Sequence, residues 1–160
     1  MIDGVTPGRG QLLSGAAAAC ALYVAALWSW HSPVLYEAAV ADGAIHALEH
    51  ASFFVAALLL WRVVVAAHPH RAVTHGARLL LLFVVGMQSV FLSVLLIFAQ
   101  APWYRVYTST TPAWGLDPLA DQQLAGAIMW VPAGAVYLAA ALTTVAMWLR
   151  SVDQASDVTA

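Results

Sequence analysis

Three ionisable side chains fall within the short run His46-Ala47-Leu48-Glu49-His50. At 3.6 residues per helical turn, His46 and His50 stand one turn apart on one face, with Glu49 beside them. Two imidazoles and a carboxylate on one face form a metal-ligand set that suits copper, zinc or iron. The same residues also read as His-x-x-Glu-His, the inverted zinc-protease pattern in which the glutamate is the general base. That chemistry needs a third ligand, for which Glu37 and Asp121 are the candidates. A plainer role is open too, with two histidines bonding to neighbouring helices and Glu49 accepting.

Other residues extend the set. His31 is the last residue before Ser32-Pro33, where it is either a solvated cap or a ligand beside the histidine pair. Asp121 opens the last apolar segment, where a first-turn carboxylate matches the helix dipole as well as it would match a metal. Met129 carries a thioether, a soft donor suited to Cu(I), and otherwise serves as packing. Gln122, Gly126 and Met129 share one helical face. Gln88 is a lone amide in the middle of an apolar run, and it is expected to bond to another helix. Glu37 and Asp42 are expected to be solvated, while His68, His70 and His75 form a weaker histidine group beside Arg71 and Arg78.

Such residues need elements to position them, and here the solvent for those elements is lipid. Only 9% of the 160 residues are Asp, Glu, Lys or Arg, and 62% are hydrophobic, whereas a soluble domain has about 25% charged residues. A membrane-crossing helix needs roughly 20 largely apolar residues. Four segments meet that requirement, at about 12–30, 43–67, 79–100 and 121–149. The expectation is therefore an all-α fold, a polytopic four-transmembrane-helix bundle forming a single membrane domain over 1–160. Residues 31–42 read as a polar connection, and Pro69 and Pro102 punctuate the ends of the second and third spans. An ionisable cluster inside such a bundle is expensive, which makes it a functional-site candidate.

All six basic residues are arginines, and the net charge is -2. Neither feature suggests nucleic acid as a partner, and no polybasic lipid-binding patch is visible. Arg9, Arg71, Arg78 and Arg150 fall at one side of the predicted bundle, with only Arg105 on the other. Positive loops stay cytoplasmic, so both termini are expected in the cytoplasm and the His31–His50 region at the outer face. Trp28, Trp30, Trp103, Tyr104, Tyr107, Trp114 and Trp130 gather toward that face, partly as an aromatic belt. Ala16 to Ala19, and Gly126 with Ala133, offer small surfaces for close helix packing. The single cysteine, Cys20, rules out a disulfide framework within one chain.

Three blocks carry a resemblance. They are Trp30-His31-Ser32-Pro33-Val34-Leu35-Tyr36-Glu37, then His46-x-x-Glu49-His50-x-x-Phe53, then Trp114-Gly115-Leu116-Asp117-Pro118-Leu119-x-Asp121-Gln122-Gln123-x-Ala125-Gly126-x-x-Met129-Trp130-x-Pro132. In this order they resemble the polytopic CtaG-type family of bacterial cytochrome c oxidase assembly factors. Members of that family usually have more spans than the four read here. The resemblance implies a bacterial cytoplasmic-membrane protein of the respiratory chain that binds or delivers copper for haem-copper oxidase, without turnover of its own. It carries over His31, His46, Glu49, His50, Asp121 and Met129 as candidate metal ligands. Its partners would be membrane lipid and oxidase subunits or another copper carrier, and a homo-oligomer is compatible with it. Copper thus stands ahead of zinc and haem. A membrane zinc hydrolase, a haem-binding bundle pairing His31 with His46 or His50, and a purely structural accessory subunit are the alternatives.

Overall fold

A computed structural model of the protein describes residues 8–66 and 73–159. It is all-α among those residues, with helices α1 (Arg9–Trp30), α2 (Pro33–Ala41), α3 (Gly43–Val65), α4 (His75–Ile97) and α5 (Pro118–Thr159). Four of them, all but α2, are long and apolar enough to cross a membrane. His68, Pro69, His70 and Arg71 lie outside the described residues. The end at which α1 and α4 finish and α3 and α5 begin is called the upper end below.

The boundaries differ from the sequence expectation where capping chemistry decides them. Residues 31–42 are not a plain connection, because Pro33 at the first helical position starts α2, where a fixed φ and a missing N–H cost nothing. Asp42 ends that helix and caps the next, its carboxylate accepting from the backbone N–H groups of Ala44 at 2.8 Å and Ile45 at 3.0 Å. Thr74 accepts from Ala77 N–H at 3.2 Å, so α4 begins at His75 rather than Leu79. Asp117 accepts from the N–H groups of Leu119 at 2.9 Å and Ala120 at 3.2 Å, which starts α5 at Pro118 rather than Asp121. At its far end α5 does not stop near Leu149. It runs through Pro132 and on to Thr159, and its 42 residues span about 63 Å at 1.5 Å each. That is roughly twice the hydrocarbon thickness, so the exposed turns around Asp153 and Asp157 extend beyond the apolar part.

Helix α4 is the hub of the bundle. Its buried residues Arg78, Leu81, Leu82, Val85, Ser89, Leu92, Ser93 and Leu96 follow the three-and-four spacing of a single packed stripe. Large apolar side chains such as Phe54, Phe83 and Phe98 are instead exposed, as a lipid-facing surface permits. Toward the lower end, Ala16 of α1, Leu60 and Val64 of α3, and Leu81 and Val85 of α4 form a common core. Arg78 is in the first turn of α4 rather than in a loop. It is 6% exposed and donates through Nη2 to the Ala66 carbonyl at 2.6 Å, closing the end of α3. The Gln88 amide oxygen accepts from Trp28 Nε1 at 3.0 Å, the interhelical bond that its mid-span position predicted.

The contact between α4 and α5 depends on small residues. A β-carbon added at Gly126 would lie 3.0 Å from Ile97 Cγ1, 3.1 Å from Leu96 Cβ and 3.1 Å from the Ser93 carbonyl oxygen. The last of these is backbone and cannot rotate away. In lipid, where helix association rests on van der Waals contact, such closeness is itself the driving force. Gly126→Ala should therefore lower stability in detergent by about 1 kcal/mol despite its better helix propensity, and Gly126→Leu by about 3 kcal/mol. Thermal denaturation midpoints would measure this, and unchanged midpoints for both variants would mean that the helices are not held this closely.

Candidate metal centre

The upper end carries two distinct sets of donors. The first lies in the opening turns of α3, where helical spacing turns the side chains of His46, Glu49 and His50 to one side. One ligand atom from each can be chosen so that all lie within 4.8 Å of one another. His46 Nδ1 is 3.5 Å from Glu49 Oε2, close to the roughly 3.3 Å edge of a tetrahedron with 2 Å metal bonds. The two imidazole rings are 4.5 Å apart. The His46 side chain is 56% exposed and that of Glu49 only 16%, so the carboxylate forms the inner wall and the imidazoles form the mouth. Three donors on one helix would leave further coordination positions open on a bound metal.

Neither Glu37 nor Asp121 joins this group among the described residues. The Glu37 carboxylate is instead occupied by the backbone N–H of Arg105 at 2.5 Å. Asp42 is likewise engaged, as the cap of α3. The third ligand required by the protease pattern is thus supplied from neither expected position.

The second set lines a cavity of about 360 Å³. His31, Asp121 and Met129 contribute to it, together with the tyrosines Tyr36, Tyr104 and Tyr107. The structure therefore separates the six expected ligands into two groups of three, with His31 on the cavity side. Among the described residues no second histidine lines the cavity. Glu49 is the link between the groups, since its charge acts on both His31 and Tyr36.

The connection between α4 and α5 roofs this cavity. It contains two one-turn 3₁₀ helices, Arg105–Thr108 and Thr111–Trp114. Gly115 then reverses the chain at φ 72°, a backbone conformation that favours glycine. Tyr104 donates to the His31 carbonyl at 3.0 Å, and its ring stacks on Tyr36 with centroids 3.9 Å apart. The hydroxyls of Tyr36 and Tyr107 are 2.9 Å apart. Burial pushes the Tyr104 hydroxyl up to about 12, with the neighbouring Tyr107 adding to it. Burial and the bond to Tyr107 raise Tyr36 as well, so the Tyr36 and Tyr104 hydroxyls are uncharged at neutral pH. Burial also holds His31 below the usual histidine pKa, against smaller upward pushes from the Leu27 carbonyl and the Glu49 charge.

A model of the cytochrome c oxidase caa3 assembly factor family matches residues 6–151. The chain belongs to that family. Nothing among curated proteins or solved structures matches it. In this assembly factor both donor groups and the whole roof fall inside the matched segment.

Several residues that build the site had no separable signal in the sequence. Tyr104 and Tyr107 read there as ordinary interfacial aromatics, and Glu37 as a solvated loop acid. Trp30, grouped with the aromatic belt, is only 8% exposed and donates through Nε1 to Ser52 Oγ at 2.6 Å, tying α1 to α3 beside the histidines. Trp114 and Trp130 remain exposed, as a belt requires. Gln122, read as a face-sharing polar residue, is buried. Its Oε1 accepts from Trp103 N–H at 2.6 Å, and its Nε2 donates to the Leu96 carbonyl at 3.4 Å. Gln122→Leu leaves that N–H unsatisfied, at a cost of about 1–3 kcal/mol. Limited proteolysis should then cut within residues 98–117 roughly tenfold faster, the equivalent of about 1.4 kcal/mol of local opening. An unaltered cutting rate would show that this amide does not hold the roof.

Proposed function

We propose that this oxidase assembly factor binds copper through His46, Glu49 and His50, and hands it on at the outer face of the cytoplasmic membrane. The observation that carries the reading is the convergence of two imidazoles and one carboxylate within 4.8 Å, on an accessible helical face. Imidazole and carboxylate bind several divalent metals, but the affinity order places copper above zinc and iron. An oxidase assembly factor also has a use for copper, because the enzyme it serves is a haem-copper oxidase. The open coordination positions fit a carrier, which must release its metal to oxidase subunits or to another copper protein.

The outward placement rests on arginine distribution. Among the described residues Arg62 and Arg78 stand toward the lower end and Arg150 beyond it, while the upper end bears Arg105 alone. Positive loops are retained in the cytoplasm, which turns the histidines outward and leaves both termini inside.

Detergent-purified protein loaded with copper and then desalted should retain metal by elemental analysis. The His46→Ala, His50→Ala double variant should lose the copper held by this cluster and, in cells, lower the copper content and activity of the oxidase. A double variant with undiminished copper stoichiometry and normal oxidase would refute this site.

A further inference from the structure

A surface groove between α1 and α3, at the lower end of the bundle, takes no part in the donor groups above. It encloses about 520 Å³. Along α1 it runs from Gln11 to Leu22, about 16 Å at 1.5 Å per residue. That is close to half of the roughly 30 Å hydrocarbon core, the depth of a single leaflet. Gly15, Ala18, Ala19 and Leu22 of α1 line it with Leu59 and Val63 of α3. A β-carbon added at Gly15 would meet nothing within 4 Å, so the groove is open space at that point and not a tight helix contact.

The walls are apolar, but the lower end of the groove is positively charged. Arg62 lines it there. One turn further along α3 is Ala66, another lining residue, whose carbonyl accepts from Arg78 Nη2 at 2.6 Å. The Arg78 guanidinium is buried, and its Nε has no hydrogen-bond partner. Arginine stays protonated in proteins, so two fixed cations belong to this end of α3. No carboxylate offsets them, since among the described residues the one ion pair is His46 with Glu49. The acids from Glu37 to Asp121 stand at the upper end, and Asp153 and Asp157 extend beyond the apolar part of α5. A buried cation without a counter-ion is costly. At this depth the bilayer itself offers an anion, the lipid phosphate, and basic pockets between cytoplasmic helix ends bind anionic head groups.

We propose that this groove binds one anionic glycerophospholipid, with its phosphate on Arg62 in the field of Arg78 and one acyl chain laid along α1 from Gly15 to Leu22. A head group without an ammonium leaves the phosphate charge to the arginines, whereas a zwitterionic lipid brings a third cation beside them. A second copy of the chain seated symmetrically on the same groove adds cations of its own and no carboxylate, so charge favours the lipid over a dimer. The site shares no residue with the copper cluster and does not depend on it.

Full-length protein in mild detergent tests this when titrated with phosphatidylglycerol, or with phosphatidylethanolamine of the same chains, and weighed by native mass spectrometry. One phosphatidylglycerol per chain should bind about fivefold more tightly than its zwitterionic counterpart, the contribution of one arginine at a lipid phosphate. Arg62→Gln should remove that preference. Gly15→Leu, whose side chain enters open groove, should weaken both lipids roughly tenfold, as the loss of about two buried CH₂ groups would. Circular dichroism and the thermal midpoint verify that each variant is folded. Equal binding of the two lipids, or a preference that survives Arg62→Gln, overturns the assignment. So does lipid that adds without saturating at one per chain, or binding indifferent to Gly15→Leu. Lipid-free dimers that Gly15→Leu dissociates would overturn it as well, in favour of a second copy covering the groove.

Discussion

One buried amide fixes the upper end of this bundle. A helix that ends inside or near a membrane leaves carbonyls without partners, and lipid offers none. Gln122 resolves this for α4 by reaching from the second turn of α5 to the Leu96 carbonyl, and its oxygen takes the N–H of Trp103 in the intervening connection. The next residue repeats the first half of the device, with Gln123 donating to the Ala99 carbonyl. The end of α4, the start of α5 and the chain between them therefore move together. Gly126, one turn further along α5, allows the approach that brings the amide within reach. Asp121 and Met129 sit on either side of these residues in sequence, and the tyrosine roof hangs from the same connection. Their positions follow from satisfying backbone polar groups in a medium without water.

The accessible cluster obeys a different constraint. His46, Glu49 and His50 all belong to α3, so helical geometry alone sets their relative placement, with no dependence on how α4 and α5 pack. What tertiary structure adds is the orientation of that face and its neighbours. Asp42 caps α3 and fixes where its first turn begins. Trp30 reaches Ser52, whose hydroxyl donates to the Glu49 carbonyl at 2.8 Å, so α1 is tied to the turn that bears the carboxylate. A site with local geometry and open coordination suits exchange, and it should tolerate changes elsewhere in the bundle better than a cavity assembled from α1, α2, α5 and a long connection.

This contrast also explains what could be read from the sequence. The four long helices were legible because lipid demands long apolar runs, and Gln88 was legible because a lone amide in such a run has to find a partner. The face shared by His46, Glu49 and His50 followed from helical periodicity. The α2 helix was less visible, since nine residues with one acid are too short for a periodic signal, and its start rests on Pro33. The division of the six candidate ligands could not be read at all. His31 is adjacent in sequence to the α2 segment and nearer to His46 than to Met129, yet it lines the cavity with Met129 because α1 packs beside α4. Glu37 looked like a solvated acid because its partner, the Arg105 amide, is far away in the chain and carries no side-chain signature. Arg78 counted as loop charge for the same reason, since its bond to Ala66 depends on a turn between two helices.

Access distinguishes the two donor groups energetically. The accessible cluster is reached without any movement of the protein. Lifting the connection away from the cavity would break the bonds from Tyr104 to His31, between Tyr36 and Tyr107, and from Arg105 to Glu37. At about 1 kcal/mol net for each, opening costs about 3 kcal/mol, a population on the order of one molecule in a hundred. Such an opening is a local event that leaves the packed stripe of α4 intact. A partner that competed for the Tyr36 or Tyr104 hydroxyls, or for the Arg105 amide, would lower that cost in proportion to the bonds it replaced.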